Sequence, residues 1–445
     1  MNRIVLWVGL VLTLGQTAFV LLGSDFSGTI GFFPLLFTVD RLSQVLLLSI
    51  GLVTFAALVV GYGTIVDENR RFNFFNLMFL AMIGMNGVVM VSDFFSLYVY
   101  LEITAVSCYI LISFNKDSRG LEGAFKYLIL SAVASVMMLL AIGVFMVSAG
   151  GITFPAVAEA LKGYEGFLPI LAIVLFLGGL FIKGGLVPFH GWLPDAYSSA
   201  PSAATILLAG IVTKTTGVYT LIRIVSQVFG FSGVVQTTLL VIGAITILVG
   251  ALACLGQRDF KRMLAYSSIS QVGYIILSLG TGTELGLAGA VFHLFNHSIF
   301  KSLLFVNAAA VEQQTGTRDM STMGGLSNRM PITGWTSVVA FLSTAGIPPL
   351  SGFWSKLVIV IALWQSGHYN YAALAIVASV ITLAYFLVMQ RKVFFGNVGE
   401  GMEGIKEAGM SLIIPSIILA VITIGVGVFF PFLISTIILP IGKIL

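Results

Sequence analysis

The chain has 445 residues, of which 58% are hydrophobic and only 9% are charged, and its mean hydropathy is +1.06. These values exclude an ordinary soluble globular domain, in which about a quarter of the residues are charged. The formal net charge is +4, but the cations are scattered between apolar stretches and form no basic patch interleaved with aromatic residues, which argues against a nucleic-acid partner.

Apolar stretches long enough to cross a bilayer recur from one end of the sequence to the other. About 20 helical residues cross the hydrocarbon core, so the sequence predicts an all-α integral membrane protein with about thirteen transmembrane helices. The 49 glycines favour close helix packing, whereas a β-barrel would show short alternating segments. The predicted spans are 4–22, 41–62, 74–92, 94–114, 124–149, 168–187, 201–225, 236–255, 263–281, 286–311, 333–364, 371–389 and 411–432.

Arginine and lysine are divided unevenly between the loops on the two sides of this predicted bundle. Because cytoplasmic loops collect these cations, the richer side is predicted to be cytoplasmic. This orientation places the N-terminus in the cytoplasm and the C-terminus outside, in the plasma membrane of a bacterium or archaeon. The richer side has Arg3, Arg70, Arg71, Lys116, Arg119, Arg258, Lys261, Arg262, Arg318, Arg329, Arg391, Lys392 and Lys406, and the other side has Arg41, Lys162, Arg223 and Lys443.

Two predicted spans contain proline and glycine near their centres. The stretch "FIKGGLVPFHGW" includes Pro188, and "AGIPPLSGFWSK" includes Pro348 and Pro349. A proline cannot donate to the carbonyl group four residues earlier, so both helices are predicted to break there. The stretches resemble each other and lie about five spans apart, which predicts a weak inverted repeat with one broken helix in each half.

The whole chain, residues 1–445, is interpreted as one polytopic membrane domain. Its predicted repeat halves are 74–225 and 236–390, flanked by helices within 4–62 and 411–445.

Ionisable residues also stand inside five predicted spans. A charge at a helix centre costs roughly 2.5 to 3.5 kcal/mol on the insertion scale, so such residues usually face the bundle interior and mark ion pathways. Lys183 and Lys214 lie too many turns from a span end for their ammonium groups to reach the headgroups, unlike Lys126, which we expect to do so. The candidates for an ion pathway are Glu102, Lys183, Lys214, His293, His297, Lys301 and Lys356. For Glu102 the alternative is an ion pair buried for packing alone.

His293 and His297 share one face of a predicted helix, because they are four residues apart. Two such histidines could begin a zinc site, but no third ligand and no H-E-x-x-H glutamate accompany them. A proton relay fits better, because imidazole accepts and releases protons near neutral pH. Asp195 in "WLPDAYSSAP" is interpreted as a structural residue at a helix end.

The sequence gives no sign of a redox centre. Cys108 and Cys254 are single cysteines inside predicted spans, so no disulfide framework, iron–sulfur cluster or thiolate metal site is expected. The stretch "FIKGGLVP" lacks the pattern of a phosphate-binding loop. We therefore expect no cofactor in this chain.

From about residue 30 onward, the sequence resembles the antiporter-like membrane subunits shared by respiratory complex I, Mrp-type sodium/proton antiporters and membrane-bound hydrogenases. The resemblance rests on "KGGLVPFHGWLPDAYSSAPSAATILLAGIVTKTTGVYTLIR", "KRMLAYSSISQVGY" and "HLFNHSIFKSLLF". It implies two inverted five-helix repeats and a chain of buried ionisable residues. By motif, Glu102 resembles the carboxylate that pairs with the broken-helix lysine, Lys183, and Lys214 resembles the lysine of the next helix. His293, His297 and Lys301 resemble the central link, and Lys356 resembles the terminal site.

Three functions compete for this pattern. The first is a cation-translocating subunit that moves H⁺, or exchanges Na⁺ for H⁺, as a non-redox part of a multisubunit pump or Mrp-type antiporter. Its partners would be other membrane subunits, including further antiporter-like or small Mrp-type ones, with peripheral redox subunits in some assemblies and lipid around it. The second is a self-sufficient secondary transporter of an organic solute coupled to H⁺ or Na⁺. The third, an integral redox enzyme, has no haem-ligand pair, cysteine cluster or nucleotide motif to support it.

Overall fold

The computed structural model describes residues 2–23, 26–30, 35–162, 166–399 and 401–443, so the last two residues of the predicted C-terminal flank lie outside the described part. The described chain is built almost entirely of helices. They are α1 (Asn2–Leu22), α2 (Arg41–Thr64), α3 (Glu68–Met90), α4 (Phe94–Ile112), α5 (Ser118–Ala149), α6 (Phe154–Leu161), α7 (Phe167–Gly184), α8 (Trp192–Ser199), α9 (Ser202–Leu207), α10 (Thr220–Ile224), α11 (Gly233–Leu255), α12 (Phe260–Leu279), α13 (Glu284–Thr315), α14 (Pro331–Ala345), α15 (Ser351–Gln365), α16 (Tyr369–Val393), α17 (Met410–Val428), α18 (Phe430–Leu433) and α19 (Leu439–Gly442).

Irregular elements connect several of these helices. A short antiparallel hairpin of β1 (Phe26–Ile30) and β2 (Leu35–Val39) pairs Phe26 with Val39, and it was not predicted. π-helical turns at Leu208–Val212 and Lys214–Tyr219 join α9 to α10, and another at Val225–Phe229 follows, so Ser202–Phe229 forms one continuous helical rod.

Within the described residues, eleven helical segments are long and apolar enough to cross a membrane. The predicted all-α membrane class is therefore confirmed, whereas the exact count of thirteen stays a prediction. Two predicted spans fall outside the eleven for physical reasons. The span at 263–281 coincides with α12, which carries a run of serines and Gln271, and the span at 333–364 is divided into α14 and α15, of 15 residues each.

Aspartates define where many of these helices begin. The carboxylates of Asp40, Asp67, Asp93, Asp117 and Asp259 each accept a hydrogen bond from the backbone N–H three residues later, at the first turns of α2, α3, α4, α5 and α12. This is the usual N-cap arrangement, which satisfies an N–H group that has no partner within the helix. These carboxylates therefore have a local structural role, unlike a carboxylate in mid-helix.

Both predicted helix breaks are present, and their geometry is the same. α7 ends at Gly184, after which Gly185 has a φ of +66° and Leu186 N–H donates to Phe181 O at 3.0 Å. α14 ends at Ala345, after which Gly346 has a φ of +85° and Ile347 N–H donates to Leu342 O at 3.0 Å. In each case a left-handed glycine closes the helix, and the next helix begins only after the proline. The division into repeat halves stays a prediction.

Two helical segments form the centre of the bundle. In the most apolar 18-residue stretch of each helix, all residues are buried for Ser202–Phe229 and 94% for α13, compared with 17% for α1. Lys214 lies on the first segment, and His293, His297 and Lys301 lie on the second. The ionisable residues are therefore placed where lipid does not reach.

Candidate ion pathway

Lys183 and Glu102 form an ion pair at the first helix break. The Lys183 ammonium donates to Glu102 Oε1 at 3.1 Å, and it also lies 3.2 Å from Ser131 Oγ and 3.3 Å from Ser135 Oγ. Ser135 Oγ donates in turn to the same oxygen of Glu102. The Lys183 side chain is 4% exposed, whereas that of Glu102 is 30% exposed. The pair therefore links the bundle interior to its edge.

The end of α7 is suited to a cation. Lys183 lies in the last turn, where the unpaired carbonyl groups and the helix dipole stabilise positive charge. Trp192 Nε1 donates to Ile182 O at 3.1 Å, so the first residue of α8 satisfies one of the carbonyl groups freed by the break. The break therefore places a helix C-terminus beside the buried Lys183.

Lys214 is completely buried in the segment that joins α9 to α10. Its ammonium donates to the carbonyl of Ala209 on the same segment, which the π-helical turn at Leu208–Val212 leaves accessible. It forms no ion pair within the described part of the chain. Gly217, one turn away, packs directly against the backbone of Gly184, so the helix of Lys214 touches the break next to Lys183.

The ionisable side chains of α13 connect α12 to α15. Lys301 Nζ donates to Ser267 Oγ at 2.7 Å, and His297 Nε2 lies 3.2 Å from Ser268 Oγ, both serines being on α12. His293 Nδ1 lies 2.9 Å from Ser355 Oγ on α15. The two imidazole rings are nearly parallel, with centroids 6.2 Å apart. This cluster therefore runs along α13 towards the second break.

Lys356 lies directly after the second break and is 5% exposed. Its ammonium donates to Ser379 Oγ of α16 at 3.0 Å and lies 3.5 Å from Ala345 O, the last carbonyl of α14. It also lies 4.5 Å from the centroid of the Tyr274 ring, a favourable cation–π contact. The same ring is 5.8 Å from that of His293. The structure thus places the candidate pathway residues in local groups around the two breaks and along α13. Within the described part of the chain, Lys214 bonds to none of the others, but its helix contacts the first break.

The serines and Tyr274 around these groups were not identified from the sequence. Ser131 and Ser135 are four residues apart and share a face of α5, a spacing that could have been noticed. The residues that these serines contact, Glu102 and Lys183, could not be deduced from this spacing, because they lie on other helices. Among the described residues, no third histidine, cysteine or carboxylate lies beside His293 and His297.

Lys126 makes ion pairs that were not predicted. Its ammonium lies 2.6 Å from Glu122 and 2.6 Å from Asp195, and its side chain is 42% exposed. Asp195 also accepts from Arg262 of α12 at 2.6 Å. These contacts tie α8, the second half of the broken helix, to both α5 and α12.

Comparisons with known proteins agree with this arrangement. Residues 91–382 match the family model described as "NADH:quinone oxidoreductase/Mrp antiporter, TM". The chain is 31% identical over 398 residues to a subunit of the Na(+)/H(+) antiporter of Alkalihalophilus pseudofirmus, covering 89% of this chain and 80% of that protein. It is 34% identical over 418 residues to NADH-quinone oxidoreductase subunit N of Desulforudis audaxviator, covering 90% of this chain and 83% of that protein.

A solved structure shows the same fold. A chain of the Mrp complex from a Dietzia species superposes with a TM-score of 0.91 at 24% identity, covering 100% of this chain and 92% of that one. Fold, buried charges and sequence together define a membrane subunit of an ion-translocating complex. The protein belongs to the NADH:quinone oxidoreductase/Mrp antiporter family, and other membrane subunits are its partners.

Proposed function

We propose that the buried ionisable residues form a proton pathway from Glu102 and Lys183, through Lys214 and α13, to Lys356. The observation that carries this proposal is the 3.1 Å ion pair between Glu102 and Lys183, held at a broken helix end. A lysine at this depth without a role in transport would be a costly feature of a membrane helix. The groups that follow it are all able to hold and release a proton.

Protons suit this interior better than sodium ions. Lys214, Lys301 and Lys356 are cations when protonated, and a sodium ion close to them would be repelled. A proton can instead be passed between amine and imidazole groups, which bind it covalently and release it again. The residues of the pathway therefore favour H⁺ as the ion that moves along them.

The ion pair provides a means of control. At an effective dielectric of about 20, unit charges 3.1 Å apart attract by roughly 5 kcal/mol, which keeps the buried Lys183 ammonium charged. If Glu102 is neutralised, this attraction is lost while Lys183 stays buried. The ammonium then releases its proton towards Lys214, whose helix contacts the break through Gly217 and Gly184. Restoring the charge on Glu102 draws a proton back to Lys183.

Water is needed to connect the groups, and buried polar atoms indicate where it binds. Thr215 Oγ1, both amide atoms of Gln271, His297 Nδ1 and His293 Nε2 are buried without a hydrogen-bond partner in the described part of the chain. Buried polar atoms in proteins are normally satisfied, and ordered water supplies the partner where the protein does not. These atoms extend from the neighbour of Lys214 to the histidines of α13. We infer a file of water molecules along this route.

The surroundings of the pathway are also part of the proposal. We propose that the protein lies in the plasma membrane of a bacterium or archaeon with its N-terminus in the cytoplasm, because one side of the bundle holds most loop cations. We further propose that its membrane partners include antiporter-like or small Mrp-type subunits. The partly exposed carboxylate of Glu102 is the group through which a neighbouring charge would act on the ion pair.

The test is ion translocation by the complete assembly carrying Lys183→Met or Glu102→Gln. Both changes should lower proton translocation by roughly two orders of magnitude, the usual contribution of a proton-transfer group. Lys162→Met is a matched control, because Lys162 forms a lysine–glutamate ion pair with Glu159 at the surface, where both side chains are more than 70% exposed. Undiminished translocation by fully assembled Lys183→Met complexes would contradict the proposal.

A further inference from the structure

An apolar cleft of about 340 Å³ lies between α1, α2, α13 and α17 and is bounded at one end by the turns of α18 and α19. Its walls include Leu48, Phe292, Phe295, Ile422 and Val426. The one polar residue of the wall, Thr17, directs its hydroxyl to the carbonyl of Thr13 at 2.9 Å. The described residues of this wall therefore offer no polar atom to hold water.

A second cleft of about 540 Å³ adjoins the first and is polar at its mouth. The two share the side chains of Leu21, Val45, Leu48 and Ile437. The second cleft adds Arg41, Gln44 and Thr436, at the end of the bundle where α2 begins. Together they form one groove with an apolar interior and a cationic end.

Arg41 is available to a ligand. Its side chain is exposed, and within the described part of the chain Nη1 makes a single long contact of 3.4 Å with the carbonyl of Thr436. The adjacent carboxylate, Asp40, does not neutralise it, because Arg223 binds both oxygens of Asp40 at 2.5 and 2.8 Å. Among the described residues Arg41 forms no ion pair.

We propose that this groove binds one phospholipid, with its phosphate at Arg41 and an acyl chain in the apolar cleft. Leu21 is 67% exposed and Ile437 is 41% exposed, so the groove opens sideways to the bilayer. A void of this size would leave its lining atoms without contacts, and acyl chains are the material available at this depth to fill it. Guanidinium groups bind phosphate through paired, charge-assisted hydrogen bonds.

The position of the groove links the lipid to the central helix. Val291, Phe292 and Phe295 form its wall on α13, and the intervening His293 points to Ser355 of α15. The lipid would thus support α13 from the side opposite to the ionisable cluster. The proposal rests on the shape and charge of the groove, so it can hold or fail independently of the proton pathway.

The test is native mass spectrometry of the complete assembly, reconstituted with phosphatidylglycerol and released into detergent, to count the phospholipids that stay bound. The wild type should retain one phospholipid at this site. Arg41→Gln should lower the affinity for that phospholipid about tenfold, because a charge-assisted hydrogen bond is lost. Leu48→Trp should displace the acyl chain by filling the cleft. Arg391→Gln is the control, because Arg391 is also exposed but lies at the end of α16, outside the groove.

Each outcome decides the proposal. A bound phospholipid is supported if Arg41→Gln and Leu48→Trp each lower the number of phospholipids retained and Arg391→Gln leaves that number unchanged. If the bound mass that Arg41→Gln removes is that of inorganic phosphate and Leu48→Trp has no effect, the site binds phosphate alone and the proposal is wrong. It is also wrong if either variant retains the wild-type number of lipids, or if a structure of the assembly shows a partner polypeptide in the groove.

Discussion

Gly217 packs against the backbone of Gly184, so the segment that carries Lys214 touches the end of α7 directly beside Lys183. The contact is asymmetric. A Cβ atom at 217 would overlap with the main chain of residue 184, whereas a Cβ atom at 184 would make only ordinary contacts, the nearest at 3.7 Å. The approach of the two lysine-bearing helices therefore depends on one glycine.

We predict that Gly217→Ala impairs translocation and that Gly184→Ala does not. The overlap at 217 involves backbone, which cannot move aside as a flexible side chain would, so a cost of about 1 to 3 kcal/mol is expected. The melting temperature and the rate of proton translocation should both be lower for Gly217→Ala than for the wild type. Gly143→Ala, on the exposed face of α5 where nothing lies within 4 Å, is the control. Equal behaviour of Gly217→Ala and Gly184→Ala would show that the contact is unimportant.

A second prediction concerns the serines around the ion pair. Ser135→Ala removes a donor to Glu102 and a partner of Lys183, so the equilibrium between the charged and neutral states of the pair should change. One hydrogen bond to a charged group contributes about 1.5 to 3 kcal/mol, which predicts a loss of translocation of roughly tenfold or more. Ser118→Ala, at the exposed start of the same helix, should have no effect. If Ser135→Ala translocates protons at the wild-type rate, the hydrogen bonds of Ser135 do not contribute to the pathway.

The ion pair between Asp40 and Arg223 should make stability depend on pH. Burial alone would raise the pKa of Asp40, but its hydrogen bonds and attraction to Arg223 outweigh burial and hold the pKa below the ordinary value of 3.8. Because the folded pKa is depressed, the stabilisation is present above pH 3.8 and is lost as the pH falls through the folded value.

Melting temperatures of the wild type and Asp40→Asn between pH 7 and pH 3 test this dependence. Asparagine also caps helices, so α2 keeps its N-cap, while the variant removes the charge and one of the two oxygens that accept from Arg223. The wild type should be the more stable protein at pH 7, and the difference should shrink below pH 3.8. A difference that stays constant over this range would contradict the assignment.

The predicted orientation can be tested with single introduced cysteines. Asn115 lies just before α5 and Glu159 lies in α6, just after it, so these two exposed residues mark the opposite ends of α5. The native Cys108 and Cys254 are buried. In intact cells, a membrane-impermeant maleimide should label Glu159→Cys and leave Asn115→Cys unlabelled until the cells are broken. The reverse pattern would place the N-terminus outside.

The features that could be predicted from sequence are those with a local cause. Pro188 and the Pro348–Pro349 pair determine the breaks because a missing N–H acts within its own helix. Glu102 and Lys214 stand out because a charge among apolar residues is costly whatever surrounds it. Both kinds of signal are visible without knowledge of the neighbouring helices.

Other features depend on tertiary contacts and could not be predicted in this way. The partners of Lys356, namely Tyr274 and Ser379, come from two other helices and share no sequence pattern with it. The π-helical turns around Lys214 also had no signal, because their residues suit an α-helix equally well. Even Asp195 was assigned only a general structural role, since its two cationic partners are distant in sequence.

Proton translocation by the reconstituted, complete assembly carrying Lys214→Met tests the central claim most directly. Lys214 is completely buried and lies between the first ion pair and the cluster on α13. A methionine in its place fills a similar volume but cannot carry a proton. We predict that proton movement is lost while the amount of assembled complex stays the same. Wild-type proton movement by fully assembled Lys214→Met complexes would contradict a pathway through these residues.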